Sequence, residues 1–172
     1  AVADVESSLK VKPVLLQLPL GPNGKPTGIV DLVAMKAHLP DAKAYGKFSE
    51  ADVPADVKAE AERLRTALVE AAAEADDELL GKYLEGTPLT SEEIDRGLAA
   101  GAAGQKFLPV AFACVKSGVG IRELLDLAVR VFPGPEARQV KGADLHGKEV
   151  VRPGTADQPF VGQVFKTSID HF

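Results

Sequence analysis

The stretch that most constrains the fold runs from Phe107 to Pro135. A short apolar run suited to a buried strand, Phe107 to Val115, passes through Lys116, Ser117, Gly118, Val119 and Gly120 into a helical pattern that stops at Pro133. This predicts one strand-loop-helix unit. In an α/β sheet the loop after a strand's carboxyl end is where ligands sit, because backbone N–H groups there and at the following helix start point outward.

The chain ahead of that unit reads in alternating elements. Val2, Val5 and Leu9 stand at helical spacing. Lys12 to Leu20 is β-like with Pro13 and Pro19 at its margins, and Thr27 to Leu39 returns with branched residues across a Gly21 to Gly24 turn, so a hairpin is expected. The turn superficially imitates a phosphate-binding loop. That motif needs four residues between its first Gly and the Gly-Lys pair and a hydroxyl directly after the Lys, whereas Pro26 stands there. After an irregular stretch with a short strand near Phe48, Pro54 opens the longest predicted helix. Its stripe of Val57, Ala61, Leu64, Leu68, Ala72, Ala75 and Leu79 runs without a break. On that phase Glu70, Glu74 and Asp77 project together from nearly the opposite side. Gly86 breaks the helix, and Thr90 with Glu93 forms a capping box for the next one, whose inner face is Ile94 and Leu98. The fold expected is α/β: a small mixed β-sheet carrying the hairpin and the Phe107 strand, flanked by the Pro54 and Val119 helices, with a loosely ordered linker after Pro133.

Most of the excess negative charge lies between Pro54 and Gly86. By itself such a run reads as a solvated helix face. With 172 residues the chain holds one medium domain, or one domain and the edge of another. A net charge of −5 argues against a protein that grips nucleic acid through phosphate neutralisation. The single Cys excludes an intramolecular disulfide, and no apolar run approaches the ~18 residues of a membrane span, so the cytoplasm is the expected compartment.

Phe107 to Pro135 resembles the last strand, base-contacting loop and last helix of the GTP-binding domain of the elongation factor G family of translational GTPases. Val14 to Gly21, Gly28 to Ala37 and Glu78 to Gly86 are similar to segments of that family's insert subdomain, and Pro159 to Asp170 to the opening strand of its β-barrel second domain. The resemblance implies a fragment of a P-loop-type GTPase without the P-loop itself. Residues 1–11 would end a GTP-binding-domain helix and 12–106 form the insert. Residues 107–133 would be the domain's last strand and helix, 134–158 a linker, and 159–172 the first strand of the second domain.

The same resemblance implies a ribosome-associated parent that binds GTP and magnesium and hydrolyses GTP in translocation or a related step. The fragment itself would be inactive and hold neither. It implies that Glu70, Glu74 and Asp77 meet the locally basic carboxyl-terminal domain of the acidic ribosomal stalk protein, with no direct nucleic-acid contact from this piece. The family's base-contacting loop normally reads Gly-Ser-Ala. Here Ala113, Cys114 and Val115 stand in its place, which keeps main-chain donors, loses the serine hydroxyl and crowds the base with a branched side chain, as in a divergent homologue with weakened guanine binding. The alternative is a free-standing module that engages a basic partner through the acidic helix and binds no nucleotide.

Other apparent chemistry reads as structure. Asp144 to Gly147 imitates a magnesium-associated Asp-x-x-Gly but lies in the linker, as a turn. His38, His146 and His171 stand far apart without partners at ligand spacing, so they are expected on the surface or satisfied in the core, and no metal site is expected. Cys114 alone reads as a small buried hydrophobe. An unrelated small α/β enzyme is disfavoured by the lack of a nucleophile motif or metal cluster.

Overall fold

The computed structural model describes residues 2–22, 25–41, 44, 47–137, 139–144, 146–160, 162 and 164–169. The chain is mixed α/β and divides into two compact units, residues 1–132 and 133–172.

In the first unit, helix α1 (Val2–Leu9) leads into strand β1 (Pro13–Leu15). β1 pairs in parallel with β6 (Leu108–Val110), Val14 facing Pro109. A parallel pair requires a long crossover, and here residues 16–107 supply it. They begin with a second sheet, antiparallel, in the order β2 (Gln17–Leu20), β3 (Gly28–Asp31), β4 (Lys36–Pro40) and β5 (Phe48–Asp52). The single mixed sheet expected from sequence is thus two sheets. Leu16 joins them: its N–H donates to the Val110 carbonyl at 3.0 Å, and its own carbonyl accepts from the Leu32 N–H at 3.1 Å.

The predicted hairpin is β2 with β3. Its turn spends the Lys25 N–H on the Pro22 carbonyl and the Thr27 N–H on the Leu20 carbonyl, both at 2.9 Å. Those donors are therefore not turned to a phosphate, while Asn23 and Gly24 lie outside the described residues. Residues 27–39, read as one returning strand, are two strands. Asp31 bends them apart, its Oδ1 accepting from the N–H groups of Val33 at 2.8 Å and Ala34 at 3.0 Å.

The helix from Pro54 is shorter than expected. Helix α2 (Ala55–Ala73) ends at Glu74, and a separate helix α3 (Asp77–Leu84) starts from Asp76, whose side chain accepts from the N–H groups of Glu78 and Leu79. An acid at the cap followed by two acids in the first turn is an N-terminal signature that the apolar stripe conceals. Helix α4 (Ser91–Ala103) carries the predicted capping box between Thr90 and Glu93. Leu68, Leu79, Ile94 and Leu98 from these three helices are fully buried, alongside Val30 and Leu32 of the sheet side. At about 1.5–3 kcal/mol for each large side chain removed from water, this cluster dominates the stability of the unit. Helix α5 (Ile121–Val131) follows β6 and buries Leu127 and Val131. The end of α2 and the middle of α4 approach closely because Gly97 has no side chain: a Cβ there would sit 2.4 Å from the Ala72 carbonyl oxygen.

In the second unit, residues 134–158, expected as a loosely ordered linker, carry regular structure. A 3-10 turn at Pro135–Ala137 precedes an antiparallel hairpin of β7 (Gln139–Ala143) and β8 (Glu149–Pro153). Asp144 makes its turn, Oδ1 accepting from the N–H groups of His146 at 2.8 Å and Lys148 at 2.9 Å. Leu145 lies outside the described residues. Among the described residues of 159–169 there is no strand, and Phe160, Val164, Phe165 and Ile169 are exposed. Val161, Gln163 and Asp170 to Phe172, with the expected His171, lie outside the described residues.

Candidate functional site

The backbone best placed to face a ligand is the loop from Phe112 to Gly120, at the carboxyl end of β6 and ahead of α5. Its entry is fixed by Gln17, a buried polar side chain whose Oε1 accepts the Phe112 N–H at 3.0 Å. Its exit is fixed by Gly120, at φ 73°, where a Cβ would meet the Phe112 carbonyl oxygen at 2.1 Å. Between them the Cys114 N–H donates to the Val119 carbonyl at 2.8 Å, closing the loop on itself. Only a left-handed, side-chain-free residue fits that closure.

Ala113, Cys114 and Val115 are therefore brought together on one loop. Recognising a guanine carbonyl through main chain needs N–H groups aimed outward, and of these three the Cys114 donor is already committed to Val119. The Ala113 N–H makes no hydrogen bond among the described residues. One main-chain donor of the loop is thus spent on an internal bridge. Beside it lies an apolar cavity of about 290 Å³ walled by Leu20, Pro22, Pro26, Ile29 and Phe112.

Cys114 is not the buried hydrophobe expected. It is half-exposed and borders the cavity, and its thiol is held below the ordinary value, chiefly by a hydrogen bond from the Ser117 side chain and then by the Ser117 backbone. The loop curls Ser117 back toward the sulfur, a contact that spacing alone does not announce.

The acidic set is only partly one surface. Glu70 lies near the end of α2 and Glu74 caps it, whereas Asp77 opens α3, beyond the break. All three side chains are exposed. Around Glu74 gather two cations that sequence reasoning does not foresee: Lys12 lies 4.0 Å from its carboxylate, and the Lys106 ammonium donates to its carbonyl at 3.1 Å. Neighbouring acids are neutralised within the fold, Asp76 and Glu78 both by Arg96 at 3.2 and 3.0 Å. Glu70 and Asp77 have no ion pair among the described residues.

Two further features are not legible in the sequence. His38 on β4 is buried against Glu123 of α5, Nδ1 to Oε1 at 3.1 Å, and its ring stacks on Phe48 at 4.2 Å between centroids. This is the satisfied core histidine anticipated, but the partner is 85 residues away in the chain. Arg65 of α2 donates to the carbonyls of Leu32, at 2.7 Å, and Val33, tying α2 to the β3–β4 turn. Among the described residues no three His, Cys, Asp or Glu side chains are grouped to hold a metal, and no helix is long and apolar enough to cross a membrane.

No family model matches the chain. Among solved structures, a protein of Thermus thermophilus known from a crystal structure matches it with a TM-score of 0.68 and 32% sequence identity. The match covers 79% of this chain and 20% of that protein, so this chain spans about a fifth of the length of the protein it resembles.

Proposed function

We propose that the chain is part of a ribosome-associated translational GTPase resembling elongation factor G, and that it carries the insert subdomain that docks the ribosomal stalk protein. The observation that carries this reading is topological. An antiparallel sheet and three helices are inserted between the parallel strands β1 and β6, and β6 runs straight into a base-side loop and the helix α5. That is the arrangement the resemblance requires of an insert within a nucleotide-binding domain. In this reading Glu70, Glu74 and Asp77 present negative charge to the basic stalk domain. Glu70 and Asp77 are the stronger pair, because no cation among the described residues pairs with them. The parent works in the cytoplasm with GTP and magnesium. Residues 113–115 sit where the guanine would be and contribute little to holding it.

Phosphoryl transfer depends on positioning and charge stabilisation of the phosphates, and the phosphate loop, magnesium ligands and Asn-Lys-x-Asp motif are not among these residues. The isolated chain is accordingly expected to show no ribosome-stimulated GTP hydrolysis. The coding sequence ahead of Ala1 tests the reading: a phosphate loop followed by Asn-Lys-x-Asp supports it, and a frame that opens at Ala1 contradicts it.

One observation favours a second reading, a protein-binding module that uses no nucleotide: the Cys114 N–H is spent inside its own loop. Equilibrium titration of the parent with GDP separates the two. GDP binding favours the GTPase, and no binding favours the module.

A further inference from the structure

We infer that His38 is a positioning residue for the loop from Phe112 to Gly120: it holds Glu123, Glu123 holds the start of α5, and the start of α5 keeps the loop closed on Val119. The antiparallel sheet thereby sets the shape of a loop it does not contain. The inference rests on the translational reading only in calling that loop base-side, and its test needs no nucleotide.

The loop is tied to this one sheet at both ends. At the entry, Gln17 of β2 accepts the Phe112 N–H. At the exit, Pro40 of β4 and Phe48 of β5 line, with Gly118 and Gly120, a crevice of only about 10 Å³. Arg122, the second residue of α5, lies over the Phe48 ring at 5.4 Å from its centroid, and His38 stacks on the same ring.

His38 matters because of the way α5 begins. Its N-cap is Gly120, which offers no side chain to the first-turn N–H groups. An acid at the third helical position ordinarily serves that end of a helix. Glu123 stands there, yet it is 8% exposed and is spent on His38, Nδ1 to Oε1 at 3.1 Å. An ionised carboxylate only accepts, so the imidazole N–H donates. A satisfied buried bond of this kind fixes one orientation of the helix start.

Removing one member of a buried polar pair leaves the other without its partner and short of water. Glu123 deprived of His38 regains water only by turning outward, and the first turn of α5 goes with it. Val119 lies directly before the Gly120 cap, and its carbonyl is the one that accepts the Cys114 N–H. Movement of that turn therefore reaches the bridge that closes the loop.

Cys114, the single cysteine of the chain, reports on the closure. Its thiol is held below the ordinary value first by the Ser117 side chain and backbone, with the Lys116 charge adding in the same sense, so the value depends on the curl of the loop. The test is the pH profile of Cys114 alkylation by iodoacetamide, followed by intact mass, together with hydrogen exchange of the Cys114 amide. In His38→Phe, which keeps a ring against Phe48 and removes the donor, the midpoint of the profile should rise toward the ordinary thiol value. Amide exchange should speed up at least about tenfold. Glu123→Gln, whose side-chain carbonyl still accepts from His38, should retain the native profile. Leu98→Ala, which weakens the helical wedge and not this contact, should retain it too at a temperature where the chain is folded. Where His38→Phe does not fold, Arg122→Met decides instead: the side chain is exposed, and loss of its tie to Phe48 should raise the midpoint and speed exchange at least about twofold. An unmoved midpoint and exchange rate in the deciding variant, an equal rise in Leu98→Ala, or loss of the native profile in Glu123→Gln would each overturn the inference. A parent that binds no GDP would sink the translational reading and leave this result standing.

Discussion

The wedge of helices α2, α3 and α4 and the loop from Phe112 to Gly120 both depend on close approaches that a side chain would block, yet they hold their shapes by different means. In the wedge, Gly97 lets α4 lie on the Ala72 carbonyl and Gly101 lets it lie on the Phe107 ring, and burial of Leu68, Leu79, Ile94 and Leu98 pulls the pieces together. In the loop Val119 is the one buried hydrophobe among the described residues. Val115 is 75% exposed, and the shape rests on a few directed bonds: Phe112 to Gln17, Cys114 to Val119, and a left-handed Gly120. A region closed by burial leaves its acidic outer face free for a partner. A region closed by hydrogen bonds spends part of its outward-facing main chain on itself, here the Cys114 N–H.

The largest losses of stability are expected in the wedge. Leu98→Ala should destabilise the chain by about 2–5 kcal/mol, because the cavity it leaves lies between helices that cannot collapse onto it. A lower urea midpoint with unchanged slope is the expected reading. Gly120→Ala should cost less, about 1–3 kcal/mol for the strained backbone and the contact with the Phe112 carbonyl. If Gly120→Ala proved the more damaging of the two, the loop and not the wedge would be the structural keystone. Thr90→Ala removes one half of the capping box and should lower stability by about 1 kcal/mol, with fraying of the first turn of α4 visible in amide exchange.

The smallest effect is one of pH. Burial raises the Asp95 carboxyl from its ordinary value of 3.8, so the folded state binds the proton more tightly than the unfolded chain. Below the ordinary value both states are protonated and the group is neutral to stability. As pH rises through the window between the two values, the ionised form is increasingly penalised in the fold, and the penalty persists above it. Relative to Asp95→Asn, the unsubstituted chain should lose stability as pH climbs from about 4 toward neutrality. A relative gain over the same range would show that Arg130 outweighs burial.

The two regions also differ in how far their residues announce them. The capping box is written in Thr90 and Glu93, and the apolar periods of α4 and α5 locate their buried faces. The end of α2 escapes the apolar period because Leu79 keeps the helical phase of Leu68 across the break. The signal that marks the break is the run Asp76, Asp77, Glu78, a cap and an acidic first turn. The separation into two sheets turns on Leu16, whose N–H and carbonyl serve different sheets, and no side-chain pattern encodes that. The spent donor of Cys114 and the pairing of His38 with Glu123 are tertiary facts. The order of the loop residues is legible in the sequence, and their availability is not.

The most direct test of the account is the affinity of the chain for the carboxyl-terminal domain of the ribosomal stalk protein, measured across a salt series with and without the triple substitution Glu70→Lys, Glu74→Lys, Asp77→Lys. The account predicts binding that weakens with salt, maps to Glu70 and Asp77 more than to Glu74, and is abolished by the substitution. Affinity that is unchanged by the three reversals would contradict it.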